Sequence, residues 1–317
     1  MRYAMWRRNV RHGAMTRNLI AACRITPKLC SNLCMEMQMR ALKFMSSWMI
    51  SILVMCVIAV SSAHAADRSR VKDFLTVTGF DVSLDSIRLS ADSAPTLLGM
   101  DANDFGFQWT LMANEVFASD IMREFAVDIL SETLTDKLLD HAANFYASDL
   151  GARLVEVENK SYMTDDDDLK SESGEAIVDG LIRIGSPRIE VLKRMNAASD
   201  STGSSLRAIQ EVQVRFLMAA AGAGVIELQL EEPDLRELLA TNEPELRLLM
   251  QASALAGSAY TYQAFSDAEV EAYTQALEHP DMKVVYNLMN AVQFEVMADR
   301  YEALALRMTN LKPSEDL

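Results

Sequence analysis

The chain has 317 residues, with 30 Lys+Arg against 45 Asp+Glu, and half of it is apolar. So acidic a chain lacks the basic surface that releases counterions from DNA or RNA, which excludes nucleic acid as a partner, and its apolar half excludes general disorder. Leu, Ala and Met outweigh aromatic residues, which are 7% of the chain, as suits helices packed on helices better than a sheet.

Residues 1–65 read as a basic leader and signal peptide. An apolar run from Trp48 to Val60, broken by Ser51, follows Lys43 and gives way to Ser61-Ser62-Ala63-His64-Ala65 before Ala66-Asp67. A basic n-region, an apolar h-region and a small-x-small site mark cleavage after Ala65, so that Ala63, Ala65 and Ala66 are the cleavage-site residues. The run is shorter than the roughly 20 apolar residues of a spanning helix, so removal is expected rather than stable insertion. Met39 or Met45 would give a conventional n-region, and the basic residues ahead of them need no nucleic-acid explanation. Cys23, Cys30, Cys34 and Cys56 all precede the cut. Cys30 and Cys34 lack CxxC spacing, and bulky Met55 ahead of Cys56 argues against lipidation. Removing the nine basic and one acidic residues of 1–65 leaves 21 Lys+Arg against 44 Asp+Glu, a net charge of −23.

Helical spacing then recurs along 66–317. Leu75 to Leu89 alternates like strands around Gly79, but Phe74, Val77, Phe80, Leu84 and Ile87 also fit helices, and a lone hairpin would have no sheet to join. Helix-turn-helix is the reading. Phe117, Ile121, Phe125 and Ile129 form one core stripe; Leu206, Ile209, Val212 and Phe216 another; Val285, Met289, Val292 and Val296 a third. The last continues through Met297, Tyr301, Leu304 and Met308 into one long final helix. Ser266 and Glu269 form a capping box, while Pro233, Pro244 and Pro280 punctuate helices. Methionines are scattered, as core filler rather than copper ligands.

Leu134–Asp149 aligns with Phe265–Pro280 at a shift of 131: each has an apolar residue, a hydroxyl cap, Asp, a helix, and a polar turn into a second helix. The predicted fold is therefore all-α, a helical bundle of two degenerate helical repeats, 66–160 and 175–312, joined by an acidic linker, 161–174, and closed by an acidic tail, 313–317. The pattern from Leu134 to Gly151, a hydroxyl-capped helix running into Phe145-Tyr146, Ser148 and Leu150-Gly151, resembles the domain of unknown function 2059 proteins of Gram-negative bacteria, in an alphaproteobacterial form. Phe265–Pro280 resembles a degenerate copy. Leu138 departs from the family's glutamate, and His279 and Met282 replace its serine and glycine in the second copy. The resemblance implies an exported, helical envelope protein and brings no catalytic residues.

Candidate chemistry is sparse. Only His141 and His279 follow residue 65, HExxH is absent, and the expectation is a partly buried or surface histidine beside Asp140 and a helix-end residue, with no metal site and no cofactor. The pair Ser69 and Lys72 has SxxK spacing without its companion motifs, and no GxSxG elbow is present. Gly222-Ala223-Gly224 reads as close packing or a C-cap rather than a phosphate loop. Asp128 and Glu132 lie one turn apart, as acidic residues do by number alone in such a chain. Asp165–Asp168 lacks calcium-loop spacing. No catalytic residue is expected, and the function predicted is a periplasmic protein-interaction or scaffolding module for unidentified envelope proteins. The alternative is a carrier or sensor of a small apolar ligand held between helices around Val214 to Leu255. N-terminal sequencing of protein from its host is expected to begin at Ala66; an intact leader would overturn the export reading.

Overall fold

The computed structural model describes residues 66–100, 105–164, 167–200 and 202–309, and every regular element among them is helical. The leader with Ala63 and Ala65, and the tail 313–317, lie outside the described residues, whereas Ala66 is buried. Helix α1 (Arg68–Thr78) starts on Asp67, whose carboxylate accepts from the Ser69 N–H at 2.7 Å. It ends at Gly79, whose φ of +70° turns the chain directly into α2 (Phe80–Ser90). Val71, Phe74 and Leu75 face the core with Phe80, Leu84 and Ile87, so the helical spacing prevails over the alternation.

A short helix α3 (Ala94–Leu97) leads to α4 (Phe107–Val116), α5 (Ser119–Thr133), α6 (Asp136–Tyr146) and α7 (Asp149–Tyr162). Then come α8 (Asp167–Arg183), α9 (Arg188–Ser199), α10 (Ser205–Gly222), α11 (Glu232–Thr241), α12 (Glu243–Thr261), α13 (Asp267–Glu278) and α14 (Pro280–Met308). The capping box of Ser266 and Glu269 opens α13, and Pro233, Pro244 and Pro280 sit in the first turns of α11, α12 and α14, where a missing N–H costs nothing. Gly222 closes α10 and would have open space around an added Cβ, so the Gly222–Gly224 stretch is a helix end rather than a packing contact.

Helix α14, 29 residues and about 43 Å long, organises the rest. Its buried residues Met282, Val285, Met289, Val292, Val296, Tyr301, Leu304 and Met308 extend along its whole length. Helix α10 packs along it, and α4, α5, α6 and α13 also contact it. Tyr301 is a junction: its ring meets Phe216 and Phe117 edge-on, with centroids at 5.2 and 5.6 Å, and its hydroxyl donates to the Ser90 carbonyl at 2.9 Å. One buried apolar cluster runs from Ala66 to Met308.

Two readings of the sequence are corrected. The face α5 buries is Met122, Ala126, Val127 and Leu130; Ile121 is exposed, and Phe125 and Ile129 are half-buried at its edge. Two neighbouring apolar stripes run along this helix, and tertiary contacts choose between them. Residues 167–174, expected within the linker, are the first turns of α8. Acidic residues suit the positive end of a helix, and Ile177, Val178 and Leu181 further along α8 pack against the core.

Close helix approach depends on two glycines. A Cβ at Gly151 would lie 2.2 Å from the Phe145 carbonyl oxygen, and one at Gly174 would lie 2.3 Å from that of Ala256, where α8 crosses α12. Backbone cannot yield as a flexible side chain does, so Gly151→Ala and Gly174→Ala are each expected to destabilise the fold by about 1–3 kcal/mol. Urea unfolding checks this; Ala variants as stable as the parent would contradict the close approach.

Candidate functional site

A carboxylate on a core-facing helix stripe must be hydrogen-bonded or give up its charge. On α7 the buried stripe Gly151, Leu154 and Glu158 places such a carboxylate inside, with Glu158 only 9% exposed. Ser148 starts this helix by accepting from the Gly151 N–H at 3.1 Å. Four tyrosines from other segments converge on the glutamate: Tyr146 near the end of α6, Tyr262 after α12, Tyr273 on α13 and Tyr286 on α14. The hydroxyls of Tyr262 and Tyr273 donate to Glu158 Oε1 at 2.6 and 2.9 Å. Tyr273 is in turn 2.9 Å from the Tyr286 hydroxyl and 3.1 Å from that of Tyr146, while Tyr146 and Tyr286 also meet each other.

Proton counting orders the cluster. Each phenol has one proton, and Tyr273 spends its own on Glu158, so it can only accept from Tyr146 or Tyr286. Two protons then remain for the three contacts of the Tyr146–Tyr273–Tyr286 triangle, and one contact is left without a hydrogen bond. Burial, more than the charge of Glu158, pushes the Tyr262 and Tyr273 phenols upward, so they stay protonated donors. Burial also raises Glu158 from 4.5 to about 7, against the opposing hydrogen bonds from Tyr262 and Tyr273.

Around this hub the acidic surface is clamped by arginines. Arg188, itself buried, donates to Asp267 Oδ1 at 2.7 Å and to the Tyr262 carbonyl at 2.6 Å, which holds the turn between α12 and α13 beside the hub. Arg153 of α7 reaches Glu269 of α13 at 2.6 Å and, with the Ser266 hydrogen bonds, holds that carboxyl at about 2.

His141 on α6 and His279 at the corner between α13 and α14 come together, which the sequence reading did not anticipate. Their rings stack with centroids 4.3 Å apart, and Asp281 completes the group. His279 is a helix-end residue as expected, because its Nδ1 accepts from the Asp281 N–H at 3.2 Å and so caps α14.

The other candidate residues do not assemble into chemistry. Ser69 donates its hydroxyl to Asp67 at 2.7 Å while Lys72 pairs with Glu124 on α5, so the SxxK residues are engaged separately. Asp128 pairs with Arg68 across α1 and α5, and Glu132 is exposed. Asp165 and Asp166 lie outside the described residues, and Asp168 is exposed on α8. The sequence reading missed Glu158. Its signal was a charged residue seven positions after Gly151 and four after Leu154, on the stripe that α7 turns inward.

The raised Glu158 carboxyl makes stability pH-dependent with a definite sign. Between pH 4.5 and about 7 the folded chain keeps a proton that the unfolded chain has released, so this group's contribution falls as pH rises through that window. The loss is about 3 kcal/mol in total, because each tenfold difference in proton affinity between the folded and unfolded chain is worth roughly 1.4 kcal/mol. Glu158→Gln is expected to flatten that part of the wild-type stability profile in denaturant unfolding from pH 4 to 8. An unchanged slope would show that Glu158 does not hold the proton.

No curated protein and no solved structure matches the chain. Tyr146, Ser148 and Gly151 are respectively a hub phenol, the α7 cap and the close contact with α6, so the sequence pattern around them has a structural reason. That stretch lies within residues 120–179, which match the family described as "Uncharacterized protein conserved in bacteria (DUF2059)", the family the Leu134–Gly151 pattern resembles.

Proposed function

We propose that the protein is exported to the periplasm and works there as a protein-interaction module without covalent chemistry, two helical halves sharing one core and offering apolar side chains to an envelope protein. The observation that carries this reading is the exposure of Ile182 at 60%, Ile184 at 76%, Leu248 at 68% and Leu249 at 61%. Large aliphatic side chains so exposed are a cost to an isolated chain when they gather, and they are the usual material of a partner contact.

All four lie on or beside one helix pair. Helices α8 and α12 cross where Gly174 meets Ala256, and Thr261 at the end of α12 donates to Ser161 at the end of α7, just before α8 begins. The two helices therefore run antiparallel, and Ile182, Leu248 and Leu249 are all carried by this one helix pair, with Ile184 just past the end of α8. Leu238 of the adjoining α11 is also exposed, at 52%. Export is supported by the position of Asp67, which caps the first helix immediately after the expected cleavage site. Among the described residues no helix is long and apolar enough to cross a membrane. The carrier alternative has less support because Phe216 and Ala220, within the Val214–Leu255 stretch it invokes, are spent on the core shared with α14.

Crosslinking in the native envelope followed by affinity capture tests the reading. The wild type is expected to bring down a reproducible partner, and Leu248→Asp combined with Leu249→Asp to lose it while keeping the helical circular dichroism of the parent. Capture unaffected by the double substitution, or capture of nothing but a second copy of this chain, would reject the proposed surface.

A further inference from the structure

The histidines that follow residue 65 are 138 positions apart in sequence, one on α6 and one at the α13–α14 corner, yet their rings stack. Asp281, in the first turn of α14, joins them, and one ligand atom from each of the three residues lies within 4.8 Å of the other two. We infer that His141, His279 and Asp281 form a site for a divalent transition-metal ion, with zinc as its natural occupant, where α6 meets the start of α14.

The donor set is that of zinc: imidazole nitrogen and carboxylate oxygen suit it, whereas calcium and magnesium are held by oxygen alone. Nδ1 of His279 accepts from the Asp281 N–H, so its proton sits on Nε2, and binding the ion gives up that cap bond: either the Nδ1 lone pair turns to the metal, or the proton moves to Nδ1 and frees Nε2. His141 is half-buried and His279 is exposed, so once the His279 cap bond is released both rings can turn to bring a nitrogen to the roughly 2.0–2.1 Å that zinc requires of each. Three protein ligands leave a fourth position to water. Two features oppose the cation: the positive end of α14, and Lys137, whose ammonium is 2.8 Å from Asp281. Lys137 is 76% exposed and is free to swing aside. The opposing charge weakens the site, and metal bridging ties α6 to the corner between α13 and α14.

The test is calorimetric titration of zinc chloride into the chelator-treated full chain purified from its own host, alongside His141→Gln, His279→Asn and Lys137→Met. Expected are one zinc per chain, a rise in Tm with zinc, and binding weakened about tenfold or more by either histidine substitution. Lys137→Met should bind more tightly, and millimolar calcium should not displace the zinc. His279→Asn retains a side-chain acceptor for the α14 cap, and His141→Gln carries the test by itself because His141 caps no helix. Failure to bind zinc, wild-type affinity in His141→Gln, or displacement by calcium would overturn the proposal, the last two by assigning the ion to surface carboxylates alone.

Discussion

Burying α14 is the constraint on which the remaining structure depends. A helix of 29 residues with buried side chains along its length must be covered by neighbours that are distant in sequence, and no short segment can supply them. Helix α10 lies along it from the C-terminal part of the chain, while α4, α5 and α6 reach it from the N-terminal part. The two ends of the described chain are thereby made parts of one apolar interior, with Ala66 and Met308 in the same cluster.

Electrostatics reinforces that arrangement economically. In a chain with so many carboxylates the arginines are scarce, and several of them bridge helices. Arg215 holds Glu295 and Glu302 of α14 from α10, Arg194 holds Glu271 and Glu278 of α13 from α9, and Arg70 holds Asp136 and Asp140 of α6 from α1. Exposed pairs of this kind contribute little individually, about 0–1 kcal/mol each, but they oppose the self-repulsion of an acidic surface where helices meet. Arg188 differs because it is buried and bonds a backbone carbonyl, so its loss would strand that carbonyl inside the protein.

Local features were legible in the sequence because local physics decides them. The caps at Thr135 and Ser266, the proline starts and the stripe that becomes α14 all depend on residues within a turn or two of one another. The inward face of α5 was misjudged because Ile121 and Met122 belong to adjacent stripes of similar hydropathy, and only the position of α14 distinguishes them. Residues 167–174 looked like solvated linker by composition, yet the apolar residues that follow carry them into a helix. The hub was illegible for a different reason: Tyr146 and Tyr273 are 127 positions apart, Glu158 is 104 and 115 positions from the tyrosines that donate to it, and no spacing rule reaches so far. His141 and His279 were noticed as the scarce titratable bases of this part of the chain, but their adjacency is a product of folding.

The tyrosine triangle beside Glu158 has a shortage that fixed geometry cannot remove. With three oxygens in mutual contact and two protons to distribute, either Tyr146 or Tyr286 can donate to Tyr273 while the other points to its neighbour, or both can donate to Tyr273. These orders differ only by rotation about C–O bonds, so counting protons does not by itself choose among them. Packing fixes where the three oxygens sit, while the direction of the local dipole is left to their hydrogens.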